Sequence, residues 1–313
     1  MPAVTVLIAA YQAELFVGRA VASALTQTLR DIEVLVVDDG SRDRTADVAR
    51  AAAGGDPRLS VIRLERNRGV SAARNAGLRA ARGRWVAPLD ADDTFAGQRL
   101  EQLAGEADRL GADLLADDVV AVRGRVPTLG GFAAPLRGRR PNAAQFVALD
   151  IFGSDAMSIG YMKPLMRRSF LEQRGLEYPE DIYAGEDFHL YVRCLLHGAQ
   201  LRFVGEGYYR ANVRDESLSR SDPERVYAAF ARSIAALRAE AEGLGDRAAV
   251  RALDRRSADL AAYRAYSRFS DAMHAGRVIE ALRTLRGLAS RAYTWRRLGM
   301  AARRRLVRGT ASA

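Results

Sequence analysis

The sequence predicts an α/β protein: a mostly parallel sheet flanked by helices, followed by a helical C-terminal extension. Three observations carry this. Short β-rich apolar runs alternate with helical stretches through the first half of the chain, the pattern of a parallel sheet covered on both faces. The third helical stretch carries a face of small residues that lets a helix lie close to a sheet. Beyond Pro223 the chain turns into long Ala/Arg-rich stretches without strand signal.

The predicted strands are 4–10, 32–38, 59–64 and 85–89, each apolar, mostly β-branched or aromatic, and bounded by polar residues or Gly. Between them, 14–26, 43–53 and 70–82 show helical spacing of apolar residues. In the last of these Val70, Ala73, Gly77 and Ala80 make the small face, and Gly83 is expected to supply the helix stop. Ligands of such sheets collect where strands lead into helices, which singles out 9–11, 38–41 and 90–93. Residues 124–141 are rich in Gly, Pro and Arg and read as a long functional loop. Order resumes at 146–150 and 160–168, with a helix from about Glu186 and a strand-like run over 200–204. A boundary near 221 divides a sheet-bearing domain, 1–220 with halves of about 1–122 and 123–220, from a basic helical extension, 221–313.

Composition narrows the classes. Cys194 is the only cysteine, so an internal disulfide is excluded and a reducing, cytoplasmic setting is expected. No run of about 18 apolar residues would make a spanning helix, and the first residues lack a signal-peptide pattern. The net charge of +10 raises nucleic-acid or membrane binding. Lys163 is the only lysine, however, and alanine is abundant, a combination that reflects composition bias. A nucleic-acid-binding protein is further opposed by the absence of zinc-finger or RNA-binding motifs and by the acidic clusters.

Those clusters carry the chemistry. Asp38-Asp39-Gly40-Ser41 ends a strand; Gly40 permits the turn and Ser41 can cap the next helix. Two carboxylates there serve either the helix dipole or a nucleobase N–H. A dinucleotide site is excluded, because the first strand leads into Ala9-Ala10-Tyr11-Gln12 and not a Gly-rich loop. Asp90-Ala91-Asp92-Asp93 places three carboxylates in four residues, which repel one another unless a cation offsets them. Hard oxygen ligands of this kind suit Mg²⁺ or Mn²⁺; the alternative is a solvated acidic turn. Glu186-Asp187, after Gly185 and before an apolar-striped helix, reads as a general base or as a helix N-terminal acid.

In order along the chain, Val6-Leu7-Ile8-Ala9-Ala10-Tyr11, Gln27-Thr28, 33–41, Asn67-Arg68-Gly69-Val70-Ser71-Ala72-Ala73-Arg74-Asn75, Asp90-Ala91-Asp92-Asp93 and Gly185-Glu186-Asp187 resemble the motif series of family 2 glycosyltransferases over roughly the first 220 residues. The likeness extends to the bacterial exopolysaccharide, succinoglycan-type members. It implies a GT-A fold and an inverting, metal-dependent transfer of a sugar from a nucleotide-sugar, UDP-sugar above others, to a hydroxyl of a glycan or lipid-linked saccharide. It further implies that Ala9 and Tyr11 flank the base, Asp39 reads it and Arg74 lies near the nucleotide. Asp90 and Ala91 would lie toward the donor, with Asp92, Asp90 and Asp93 as the metal-binding acids and Asp92 the direct ligand of Mn²⁺ or Mg²⁺. Asp187 would be the base, with Glu186 beside it. Many relatives carry a histidine near 211–216; here Arg214 takes that region and would bind phosphate. Tyr161 and Lys163 could line the acceptor side, or Tyr161, Leu165 and Phe170 could pack a helix onto the sheet. His189 and His197 read as structural.

The tail, 291–308, has seven arginines and no acid, with Trp295, Leu298, Ala302 and Leu306 on one helical face. It suits an anionic membrane surface, giving an expected peripheral location at the inner face of the plasma membrane, or else packs on the catalytic domain. A sugar nucleotidyltransferase or nucleotide-sugar hydrolase is the competing enzyme class; the first strand's loop lacks the triphosphate cradle of the former.

Overall fold

The computed structural model describes residues 1–123, 126–129, 136–150, 159–212 and 222–284. Its strands are β1 (Val4–Ala10), β2 (Ile32–Asp38), β3 (Leu59–Arg63), β4 (Trp85–Asp90), β5 (Thr94–Phe95), β6 (Leu114–Arg123), β7 (Val126–Leu129), β8 (Leu165–Arg167) and β9 (Leu201–Asn212). Its helices are α1 (Val17–Leu25), α2 (Thr45–Ala53), α3 (Val70–Ala80), α4 (Arg99–Arg109), α5 (Ala143–Leu149), α6 (Arg168–Arg174), α7 (Glu186–Leu196), α8 (Pro223–Gly243), α9 (Arg247–His274) and α10 (Val278–Thr284).

One nine-stranded sheet runs in the order β3-β2-β1-β4-β8-β6-β9-β5, with β7 paired to β6. The long pairings are parallel: β1 to β2, β1 to β4, β2 to β3 and β6 to β9. The antiparallel ones are short, and β8 joins the two parallel sets by pairing β4 through only Trp85–Arg167 and Val86–Met166.

Strand periodicity divides the core between two faces. Val4, Val6 and Ile8 of β1 pack under α1 and α4, whereas Leu7 packs with Ala73 of α3. Gly77 makes the latter contact possible, since a Cβ there would lie 2.0 Å from a Leu7 methyl. Val70 departs from the expected small face; it is 37% exposed. Gly83 is not the helix stop either. The helix closes at Ala81 in an extended conformation, and Gly83 is needed because a Cβ would meet the Thr5 amide at 2.4 Å. Ser41 likewise caps no helix. Its hydroxyl accepts from the Gln12 amide at 3.0 Å, and Asp43 serves the start of α2 through the Thr45 amide and hydroxyl.

The helices beyond 222 share the core of the α3 face. Tyr227, Ile234, Leu237, Leu253 and Leu260 belong to the same buried cluster as Leu7, Phe146 and Phe188. Among the described residues no helix is long and apolar enough to cross a membrane.

Candidate active site

The carboxyl ends of β1, β2 and β4, the start of α3 and the start of α7 converge on one region. Asp39, just past β2, is 3% exposed, and its two oxygens accept from the Arg68 amide at 2.9 Å and the Gly69 amide at 2.8 Å. Burial raises its pKa, and these amides work against that rise. Gly40 holds φ +69°, and a Cβ there would strike the Arg66 backbone, so the acidic turn and the 66–69 loop touch at a point where only glycine fits. Beside them opens a cleft of about 630 Å³ lined by Tyr11, Gly40, Ser41, Arg63 and Asn67, among others. Tyr11 is 45% exposed. Ala9, half-buried, lies at the end of β1 opposite Asp90 in the β4 register.

Arg74, on the buried side of α3, is the hub of the second cluster. Its guanidinium reaches Asp90 at 2.7 Å, Glu186 at 2.8 Å and Asp187 at 3.0 Å. It lies 5.1 Å from the centre of the Tyr178 ring. Asn75 fixes the loop carrying that tyrosine by bonding its backbone in both directions, at 2.9 and 2.8 Å. A second cation closes the cluster: Lys163 Nζ lies 2.5 Å from Asp187 and 3.0 Å from Asp90. The Lys163 side chain, expected at the acceptor side, is 4% exposed and sits among these carboxylates, while Tyr161 two residues earlier is 55% exposed. Leu165 is buried in β8, and Phe170 packs against the core.

Electrostatics follow from this wiring. Burial would lift Asp90, but Lys163 and Arg74 hold its pKa down to about 2. Burial disfavours charge on Lys163 and Arg74 too; the facing carboxylates overcome it and keep both cationic. Glu186 is pushed up by burial and by Asp187. Asp93 is raised to about 8 by burial and by Asp90 and Asp92; Tyr209 donates to it at 2.7 Å and the Asn212 amide at 2.7 Å. The Tyr209 hydroxyl also accepts from the Asp90 amide at 3.2 Å, so β9 braces the acidic loop.

A divalent metal is implied by the acidic loop. Among the described residues no group of three or more His, Cys, Asp or Glu side chains is arranged to hold one. Asp90 has an oxygen on each cation, and both Asp93 oxygens are hydrogen-bonded. Asp92 lies half-buried in the turn between them, and its charge helps raise the pKa of Asp93. One carboxylate with substrate phosphates is a usual way to hold Mg²⁺, so the donor set fits. Arg214 and Trp295, with the rest of the basic tail, lie outside the described residues.

His189 and His197 face the helices beyond 222: His189 Nδ1 is 3.0 Å from the Ser233 hydroxyl, and His197 Nε2 is 2.8 Å from Glu240. Sequence reasoning missed the bracing residues Asn75, Tyr178, Tyr191 and Tyr209. Asn75 stood inside a segment already singled out, and none of these residue types announces a role.

The sequence model of "Glycosyl transferase family 2" matches residues 5–171. Two proteins of Rhizobium meliloti (strain 1021) are similar: succinoglycan biosynthesis protein ExoU, 40% identical over 72% of this chain and 68% of its own length, and ExoO, 39% identical over 70% and 63%. The chain thus spans under two thirds of ExoO. Among solved structures, residues 1–349 of S. aureus TarS in complex with UDP superpose with a TM-score of 0.64 at 18% identity, covering 94% of this chain and 91% of that one. A mannosyltransferase of Pyrobaculum calidifontis, in complex with GDP-Man and Mn²⁺, gives 0.56 at 20% identity, covering 94% and 83%. These structural likenesses bear on the fold, which is that of GT-A glycosyltransferases.

Proposed function

The chain belongs to glycosyltransferase family 2, and on that premise we propose that it transfers a sugar from a UDP-sugar to a hydroxyl of a glycan or lipid-linked saccharide, in bacterial exopolysaccharide synthesis. The observation that carries this reading is the Arg74 hub, which ties Asp90 of the acidic loop 90–93 to the Glu186-Asp187 pair. The succinoglycan proteins support the pathway class, and the UDP and UDP-GlcNAc complexes of TarS support the nucleotide.

Each residue then has a task. Tyr11 and Asp39 flank and read the base, and Arg74 and Arg214 meet the nucleotide-sugar. Asp187 takes the proton of the acceptor hydroxyl as its oxygen bonds to the anomeric carbon. The bond from that carbon to the phosphate oxygen breaks, its electron pair leaving with the nucleoside diphosphate. One displacement inverts the anomeric centre. General base catalysis of this kind contributes about 10²–10⁴-fold. Mn²⁺ or Mg²⁺, held by Asp92 with Asp90 and Asp93 behind it, would supply Lewis-acid stabilisation of the departing diphosphate. Residues 291–313 would hold the enzyme at an anionic membrane, where a lipid-linked acceptor lies.

The test is thermal denaturation with UDP, GDP, dTDP and CDP, each with Mn²⁺ or with EDTA. Stabilisation by UDP only with metal is expected, and D187N should keep that stabilisation while losing at least about 10²-fold in turnover. Metal-independent response to every nucleotide, or an active D187N, would overturn the reading.

A further inference from the structure

Lysine has nearly vanished from this chain. Of 48 basic Lys and Arg residues one is a lysine, Lys163, so the single site that kept a compact ammonium in place of a guanidinium stands out. Its surroundings are built for it. The Lys163 carbonyl accepts from Arg99 Nη2 at 2.6 Å, and Arg99, fully buried, is itself clamped by Asp117 at 2.7 and 3.0 Å. The preceding carbonyl, of Met162, accepts from the Tyr191 hydroxyl at 2.8 Å, one turn along α7 from Asp187. The backbone at 162–163 is therefore fixed from α4 on one side and from α7 on the other.

From this mount the ammonium spans two acids of different elements, Asp90 at the end of β4 and Asp187 at the start of α7. We propose that Lys163 is a positioning residue for sugar transfer, bridging the donor-side Asp90 to Asp187 and fixing the orientation of the Asp187 carboxylate toward the acceptor hydroxyl. The proposal rests on the reading of Asp187 as the base. A carboxylate oxygen offers two lone-pair directions. With Lys163 on Oδ2, and Arg74 at 3.0 Å and the Tyr191 hydroxyl at 3.4 Å on Oδ1, both oxygens are held and the plane of the group is set, which leaves Oδ2 a lone-pair direction for the acceptor proton. Without Lys163 these contacts all fall on Oδ1, and the Oδ2 side of the group is left free to turn. A displacement of about 1 Å in a reacting group can cost about 10²-fold in rate, and that is the size of effect expected here. Lys163 touches neither base nor phosphate in this scheme, so donor affinity should be nearly indifferent to it.

The experiment compares wild type, K163M, K163Q, K163R and D187N as full chains, checked for folding by circular dichroism. Turnover is read as nucleoside diphosphate release from a panel of UDP- and GDP-sugars with Mn²⁺ and octyl glycoside acceptors. Binding of UDP with Mn²⁺ is read by calorimetry. K163M and K163Q should lose about 10²-fold in kcat with donor KM and the Kd for UDP within about threefold. K163R should recover at least about fivefold of that loss without reaching wild type. The proposal is overturned by K163M or K163Q at near wild-type kcat, by a loss carried in KM and Kd, or by K163R no better than K163M. Whichever of the two neutral variants folds decides it; if neither does, K163R at wild-type kcat refutes it and a kcat-only loss in K163R supports it. An active D187N, or a wild type that turns over no sugar in the panel, removes the base reading and this inference together. An inactive D187N beside an active K163M removes this inference alone.

Discussion

At the scale of single residues, His189 illustrates a titratable group used for packing. It is 5% exposed against α8, and burial, with Arg193 nearby, lowers its pKa to about 4. Glu240 and Asp181 oppose that shift weakly. The folded protein holds the ring neutral while the unfolded chain protonates it near the ordinary 6.5. Above that pH the two states differ little. As pH falls from 6.5 toward 4 the unfolded chain takes up the proton first, and stability is lost, by up to about 3 kcal/mol at roughly 1.4 kcal/mol per pH unit. H189N should therefore show a shallower fall over this window than wild type in denaturant titrations at several pH values. Equal slopes would mean that His189 remains accessible to protons in the folded state.

At the scale of elements, two glycines set how closely α3 and its exit lie to β1. At Gly77 the obstacle to a side chain is a Leu7 methyl, which can turn; at Gly83 it is the Thr5 backbone inside the sheet, which cannot. G77A should cost about 1–3 kcal/mol and G83A distinctly more, measured as urea midpoints; the reverse order would contradict the packing described. The elements also show what a sequence conveys. Strand β2 and helix α7 begin where expected because Asp31 and Gly185 stand just before them, and β1 because its apolar run opens directly after Pro2-Ala3. Strand β6 escaped notice because Asp117 and Asp118 interrupt it, and both are buried; Asp117 does so by meeting Arg99 from α4 and the Tyr208 amide of β9, partners no local pattern displays. The two-residue β5 is below the reach of periodicity, and β9 continues to Asn212 well past its apolar start. The acids of the site were legible for the converse reason, since clustered carboxylates at strand ends have few other uses. Lys163, the cation that joins them, lay 73 residues from one and 24 from the other, in a segment that reads either as acceptor side or as packing.

At the scale of the whole molecule, the helices beyond 222 complete the core on the α3 face and grip α7. Phe230 lies where any side chain at Gly185 would go, Glu240 holds Arg193 and His197, and Arg256 stacks at 4.0 Å on Phe188 while pairing with Asp150 at 2.6 Å. A chain ending at 221 should lose cooperative unfolding and bind hydrophobic dye, because it exposes that shared core; a sharp transition in calorimetry would show instead that the sheet domain stands alone. The bracing of the acidic loop by Tyr209 and Asn212, which are separated from Asp93 by 116 and 119 residues, has a bearing on how the protein is made. A ribosome delivers β1 to β4 and the acidic loop first, and domains form as they emerge. Until the strand carrying Tyr209 has cleared the exit tunnel and the helices behind it have closed over α7, the acids cannot take their final places. Under the transfer proposed above, a nascent polypeptide that still lacks Tyr209 is thereby kept from splitting costly activated sugars.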